Sequence, residues 1–177
     1  MNDLTLRLIL SDLRGAGNVG SILRTADATA VELVYACGYT PYPALAADER
    51  PPHVSDSNTR AIAKTALGAE LTVPVLHIPD TATAIAEAKR DGFIIIVLEQ
   101  AETSLNLFSF TTKPTKLALV LGNEVTGLNS EIQALAGHVL EIPMLGRKES
   151  LNVASAAAVA LYQLRFGRPA NERRILN

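Results

Sequence analysis

Apolar runs alternate along the chain with stretches of helical period. LTLRLIL (4–10) reads as a strand. Residues 18–30 read as a helix, with Asn18 as N-cap and Val19, Ile22, Leu23 and Ala26 on one face. ELVYAC (32–37) is a second strand. Pro41, Pro43, Pro51 and Pro52 mark 38–55 as a long loop. A helix follows at 57–67, ended by Gly68. VPVLHI (73–78) is a strand, and 80–91 is an alanine-rich helix stopped by Gly92. FIIIVLE (93–99) and LALVLG (117–122) are further strands. A short helix at 129–136 precedes the strand HVLEIP (138–143), and the last helix covers 151–166.

Strands separated by helices predict an α/β fold, a mostly parallel sheet flanked by helices. A run as apolar as FIIIV suits a strand buried on both faces. Repeats and linkers are absent, so one domain is expected over 1–167, followed by a short basic tail at 168–177. The chain is 48% apolar and 19% charged, which suits a packed core rather than a disordered segment. Aromatics are only 5%, so that core is mostly aliphatic. No run approaches the roughly 18 apolar residues of a membrane span, and the N-terminus has no secretory pattern. The cytoplasm is the expected location. A single cysteine, Cys37, excludes an internal disulfide and a multi-cysteine metal cluster. His53, His77 and His138 have no metal-ligand spacing, so no metal is expected.

Residues 15–20, Gly-Ala-Gly-Asn-Val-Gly, spell a literal GxGxxG between a strand and a helix. That pattern opens an NAD(P)-dependent oxidoreductase reading, with the dinucleotide at a helix N-terminus. Two features oppose it. Ser11-Asp12-Leu13-Arg14 separates the strand from Gly15, and the second strand ends in Cys37-Gly38-Tyr39-Thr40 rather than in a ribose-binding acid.

Three other segments carry more specific information. The first is Asn18-Val19-Gly20-Ser21-Ile22-Leu23-Arg24-Thr25-Ala26. The second is Leu121-Gly122-Asn123-Glu124-Val125-Thr126-Gly127-Leu128. The third runs from Ile142-Pro143-Met144-Leu145-Gly146-Arg147-Lys148-Glu149 through Ser150-Leu151-Asn152-Val153-Ala154. In this order and spread over nearly the whole chain, they resemble the SpoU, or TrmH, branch of the SPOUT superfamily of RNA methyltransferases. Ser21 stands where alanine is frequent and Ala154 where serine is frequent; both are small.

The resemblance implies S-adenosyl-L-methionine as cofactor and transfer of its methyl group to a ribose 2′-hydroxyl of RNA. It implies a homodimer and a deep C-terminal trefoil knot from about residue 93 onward; nothing in periodicity or spacing indicates the knot. Arg24 is implied as the catalytic arginine, near the 2′-hydroxyl and a phosphate, and it could complete the site of a partner subunit. Because a guanidinium stays protonated in water, it suits gripping phosphate and stabilising developing alkoxide charge better than removing a proton. Asn18, Glu124, Ser150 and Asn152 are the other candidate catalytic residues. Glu124 is expected to organise the loop, Ser150 to cap the last helix, and Gly127 to hold a positive φ. Leu121, Gly122, Ile142, Met144, Gly146 and Leu151 are the candidate cofactor-binding residues, with Gly122 letting the ligand approach the backbone.

The net charge of −2 gives no hint of nucleic acid, and only its distribution bears on the RNA partner that the resemblance implies. Residues 141–177 hold six basic and three acidic side chains, net +3, against ten and fifteen, net −5, in the first 140. Arg147, Lys148, Arg165, Arg168, Arg173 and Arg174 are expected to attract phosphate, and Arg14, Arg147 and Lys148 are the candidate RNA-binding residues. No N-terminal extension resembles a ribosomal-RNA-binding domain, which tilts the expected substrate towards transfer RNA. A non-catalytic RNA-binding protein with a relic pocket is the alternative from another class.

Overall fold

The computed structural model describes residues 4–111 and 115–167, so the basic tail with Arg168, Arg173 and Arg174 lies outside the described residues. The elements, in chain order, begin β1 (Thr5–Ser11), α1 (Ala16–Ala28), β2 (Val31–Cys37), α2 (Pro52–Ala66) and α3 (Ala69–Thr72). β3 (Val75–Ile78), α4 (Thr81–Arg90), β4 (Ile94–Leu98) and β5 (Leu105–Asn106) follow, and a 3-10 turn covers Leu107–Ser109. The chain continues through β6 (Lys116–Leu121), α5 (Ser130–Ala134), β7 (His138–Glu141) and α6 (Val153–Phe166).

The seven strands form one sheet in the order β3-β2-β1-β6-β4-β7-β5. Every pairing in it is parallel. Side-chain alternation assigns the two faces. Leu6, Leu8 and Leu10 of β1 pack with Ile22 and Leu23 of α1, Ile62 of α2 and Leu161 of α6. Ile9 points the other way, to a core with Val97, Val120 and Ala84, Ile85 and Ala88 of α4. Both faces are therefore covered, which explains the purely apolar strands. β6 lies between β1 and β4 although it follows both in the chain, so its C-terminal end sits in mid-sheet.

Most elements stand where the pattern predicts them, with differences at the ends. α2 begins at Pro52 rather than near 57; a proline in the first turn loses no hydrogen bond and has the helical φ already. α1 begins at Ala16 with Gly15 as N-cap, so Asn18 lies inside the first turn and is not the cap. α3 and β5 have four and two residues, too few to register as a period. Arg165 leaves the expected phosphate-attracting surface altogether. Its guanidinium donates to the carbonyls of Leu4, Thr29 and Ala30, tying α6 to the start of β1 and the α1–β2 turn. Among the described residues no helix is long and apolar enough to cross a membrane.

Gly20 lets α1 and α2 pack closely. A Cβ there would collide with Thr65 Oγ1 and with the carbonyl oxygen of Ile62, a backbone atom that cannot rotate away. Gly20→Ala should therefore cost about 2–3 kcal/mol and lower Tm by about 4–12 °C. A calorimetric Tm equal to wild type would contradict this packing.

Candidate functional site

A cavity of about 490 Å³ opens where β4, β6 and β7 end. Ligand crevices of open α/β sheets lie at the carboxyl ends of the strands. Leu98 at the end of β4, Leu121 and Gly122 after β6, and Glu141 and Ile142 after β7 line it from the sheet side. Ser150, Leu151 and Asn152 close it from the segment entering α6. Of the residues expected to bind cofactor, Leu121, Gly122, Ile142, Met144 and Leu151 line this cavity, and so do Glu124, Ser150 and Asn152 from the catalytic set. Gly146 does not. It lines an adjoining depression of about 380 Å³ with Arg147 and Lys148, and Met144 borders both.

One chain of hydrogen bonds joins the three motif segments. Glu124 Oε2 accepts from the Arg14 N–H (3.0 Å), and Oε1 accepts from the Gly15 N–H (3.3 Å) and from Asn18 Nδ2 (2.9 Å). Asn18 Oδ1 accepts in turn from Asn152 Nδ2 (3.1 Å), while Asn152 Oδ1 accepts from the Ala154 N–H (2.9 Å). Asn152 is thereby the N-cap of α6, a role expected of Ser150, which lies two residues too early and carries no cap bond. Burial opposes the Glu124 charge, but the bonds from Asn18 and from the Arg14 and Gly15 backbone outweigh it and hold the carboxyl below its usual range.

The same carboxylate decides against the dinucleotide reading of Gly15, Gly17 and Gly20. A helix N-terminus attracts a phosphate through free N–H groups. Here the approach to α1 already holds the chain's own anion, Glu124.

Gly122 lines the cavity, and its missing side chain also serves packing. A Cβ would lie 2.7 Å from Leu128 Cγ and 2.8 Å from Gly127 C, so the missing side chain makes room for the chain's own turn. Gly127 has the expected positive φ, 64°. Asn123 was not singled out from sequence, although it organises this turn. Its buried amide donates to the Asp12 carbonyl (2.7 Å) and to Tyr39 Oη (2.8 Å) and accepts from the Val125 and Thr126 N–H groups. An asparagine directly after a buried strand is an Asx-turn signal that could have revealed it. Glu99, Gln100 and Glu141 line the cavity and were likewise missed.

The structure does not bring Arg24 into this cavity. It lies on the exposed side of α1, and Arg14, Arg147 and Lys148 are also exposed. His77 Nε2 pairs with the Gly38 carbonyl oxygen and its ring stacks on Tyr42, while His138 packs edge-on against Phe110. Burial pushes the Cys37 thiol up to about 12, so it is an inert core residue.

Known proteins share both sequence and fold. A TrmH family tRNA/rRNA methyltransferase of Staphylococcus aureus (strain MSSA476) is 33% identical over 163 residues, 91% of this chain and 58% of that protein. The chain thus spans little more than half the length of the curated relatives it matches. An AdoMet-bound rRNA methyltransferase from Sinorhizobium meliloti superposes with a TM-score of 0.72 at 25% identity, over 91% of this chain and 56% of that one. A structure concerned with 2-OH methylation of C/U34 on tRNA superposes with a TM-score of 0.68 at 25% identity, over 94% of this chain and 99% of that one. Residues 49–162, well over half of the sequence, match the model of the SpoU rRNA Methylase family, and the chain belongs to that family.

Proposed function

We propose that this protein is an S-adenosylmethionine-dependent RNA methyltransferase that methylates a ribose 2′-hydroxyl of transfer RNA. It would act as a homodimer in the cytoplasm. One observation carries the reading: the second and third motif segments line one cavity, and the first, up to 134 residues away, is locked to both through Glu124, Asn18 and Asn152. The cavity volume falls within the roughly 300–1,000 Å³ of small-molecule sites. Its lining joins apolar Leu98, Leu121, Ile142 and Leu151 to the carboxylates Glu99 and Glu141, and none of the lining residues is Lys or Arg. That suits an adenosyl group carrying a cationic sulfur.

When bound, S-adenosylmethionine supplies an electrophilic methyl group. The chain's residues then have to hold donor and hydroxyl in line and exclude water. Glu124 makes a poor proton acceptor, because both its oxygens already accept N–H bonds. It holds the start of α1, the helix that carries Arg24, to the turn after β6. Arg24 grips the RNA phosphate and stabilises charge developing on the attacking oxygen. Its place outside the cavity supports a partner subunit supplying it. Tyr162 and Phe166, 50% and 60% exposed on α6, support an apolar dimer surface. The trefoil knot implied by the family belongs to the same proposal; the mid-sheet place of β6 and the packing of α6 on α1 support it.

The match to the tRNA-related structure covers nearly all of that chain, which favours transfer RNA. A ribosomal substrate is the second reading, favoured by the Sinorhizobium meliloti neighbour. The test is twofold. Calorimetric titration should show binding of S-adenosylhomocysteine and none of NAD(H). Nucleotide mapping in cells with and without the gene should show loss of one 2′-O-methylation in transfer RNA. A lost ribosomal mark would move the substrate, and a lost base methylation would overturn the ribose assignment.

A further inference from the structure

Two irregular segments face each other across the cavity: the turn 123–128 after β6 and the segment 143–152 before α6. Regular secondary structure does not fix the distance between them. The second is anchored at its end by Asn152, but residues 145–151 before it are all exposed. The two residues that follow β4 touch one segment each.

Glu99 continues the ladder, its N–H donating to the Leu140 carbonyl at 2.9 Å. Its Oε2 accepts from the Leu128 N–H at 3.0 Å and lies so close to Gly127 that a Cβ there would stand 2.5 Å from it. Its Oε1 accepts from the Gln100 N–H at 3.1 Å. The Gln100 side chain reaches the opposite wall, where Nε2 donates to the Glu149 carbonyl at 2.6 Å, directly before Ser150 and Leu151.

We propose that Glu99 and Gln100 are positioning residues that set the width of the donor pocket by tying both of its walls to the end of β4. The inference rests on the donor reading above. Glu99 seats the 123–128 turn, whereas Gln100 latches the exposed segment that delivers Ser150 and Leu151. Without the latch the competent arrangement is one of several, and apparent affinity falls by the fraction of molecules that hold it.

The test titrates the full chain with S-adenosylhomocysteine by calorimetry. Gln100→Ala should bind about three- to tenfold more weakly, the equivalent of one hydrogen bond. Gln100→Glu, which sets a carboxylate against the Glu149 carbonyl, should bind more weakly still. Because Gln100 is exposed, both variants should keep the wild-type Tm. In turnover assays KM for the donor should rise, with kcat and KM for RNA within about twofold. Glu99→Ala should weaken donor binding, and Glu99→Gln, which keeps an oxygen for the Leu128 N–H, should restore most of it. Wild-type affinity in both Gln100 variants would overturn the latch while leaving the methyltransferase reading intact. Failure of the wild-type protein to bind S-adenosylhomocysteine would overturn both.

Discussion

Arg24→Ala is expected to lower turnover by about 10²–10³-fold, the usual cost of removing a group that stabilises transition-state charge. Donor binding should stay at the wild-type level, because Arg24 is exposed and lines no part of the cavity. The side chain lies on a helix whose N-terminal end is held against the cavity by Glu124, so the geometry of the pocket should survive. Wild-type methylation of bulk RNA by the variant would remove Arg24 from the mechanism. A mixing experiment separates the two ways in which Arg24 could serve. If each subunit lends its Arg24 to its partner, Arg24→Ala chains mixed with Leu151→Asp chains, whose defect lies in the cavity wall and not at α1, form dimers with one intact site, and activity returns. If Arg24 serves its own subunit, the mixture stays as inactive as either parent.

Glu124→Ala should act on activity and stability together. Its removal leaves the Arg14 and Gly15 N–H groups and the Asn18 amide without their acceptor and deprives α1 of its anion. Because these groups are solvent-accessible, the expected cost is about 0.5–1.5 kcal/mol, or a Tm lower by about 1–6 °C. Turnover should fall about 100-fold, because the first motif is no longer held in register with the other two. Glu124→Gln, which keeps one acceptor oxygen, should be milder in both respects.

The carboxylate also predicts a pH dependence. Its folded-state pKa is lowered, so the folded state binds this proton more weakly than the unfolded chain. The resulting stabilisation is fully present above the ordinary glutamate value of about 4.3 and is lost as pH falls through the lowered one. Melts from about pH 7 down to about pH 3 should show a shallower acid limb in Glu124→Ala than in wild type. Parallel limbs would mean that other carboxylates govern acid unfolding.

Much of the fold was legible because it rests on local pattern. FIIIV had to be buried on both sides, and helices cover both faces of β4. Gly92 adopts the positive φ expected after α4, whereas α2 is already ended by the left-handed Leu67, and Gly68 opens α3. Helix ends were less legible, because capping depends on partners as well as on residue type. Asn18 has the chemistry of an N-cap, but its amide is engaged by Glu124 and Asn152, 106 and 134 residues away. Ser150 has it too, yet Asn152 reaches the Ala154 N–H instead.

Sequence by itself determined the α/β class, the strand-helix alternation, and the three segments that had to meet. The class and the alternation follow from periodicity and residue chemistry, which act over a few neighbouring residues; the three segments were marked by their resemblance to the SpoU, or TrmH, branch. Only the tertiary structure decided that Glu124 occupies the start of α1, that Gly122 yields space to the turn at Gly127 and Leu128, and that Arg24 stays outside the cavity. It also revealed Glu99 and Gln100 beneath the two walls. Each of these depends on which strand ends lie side by side, and that order is set by packing the whole sheet between its helices, a global property that no local pattern encodes.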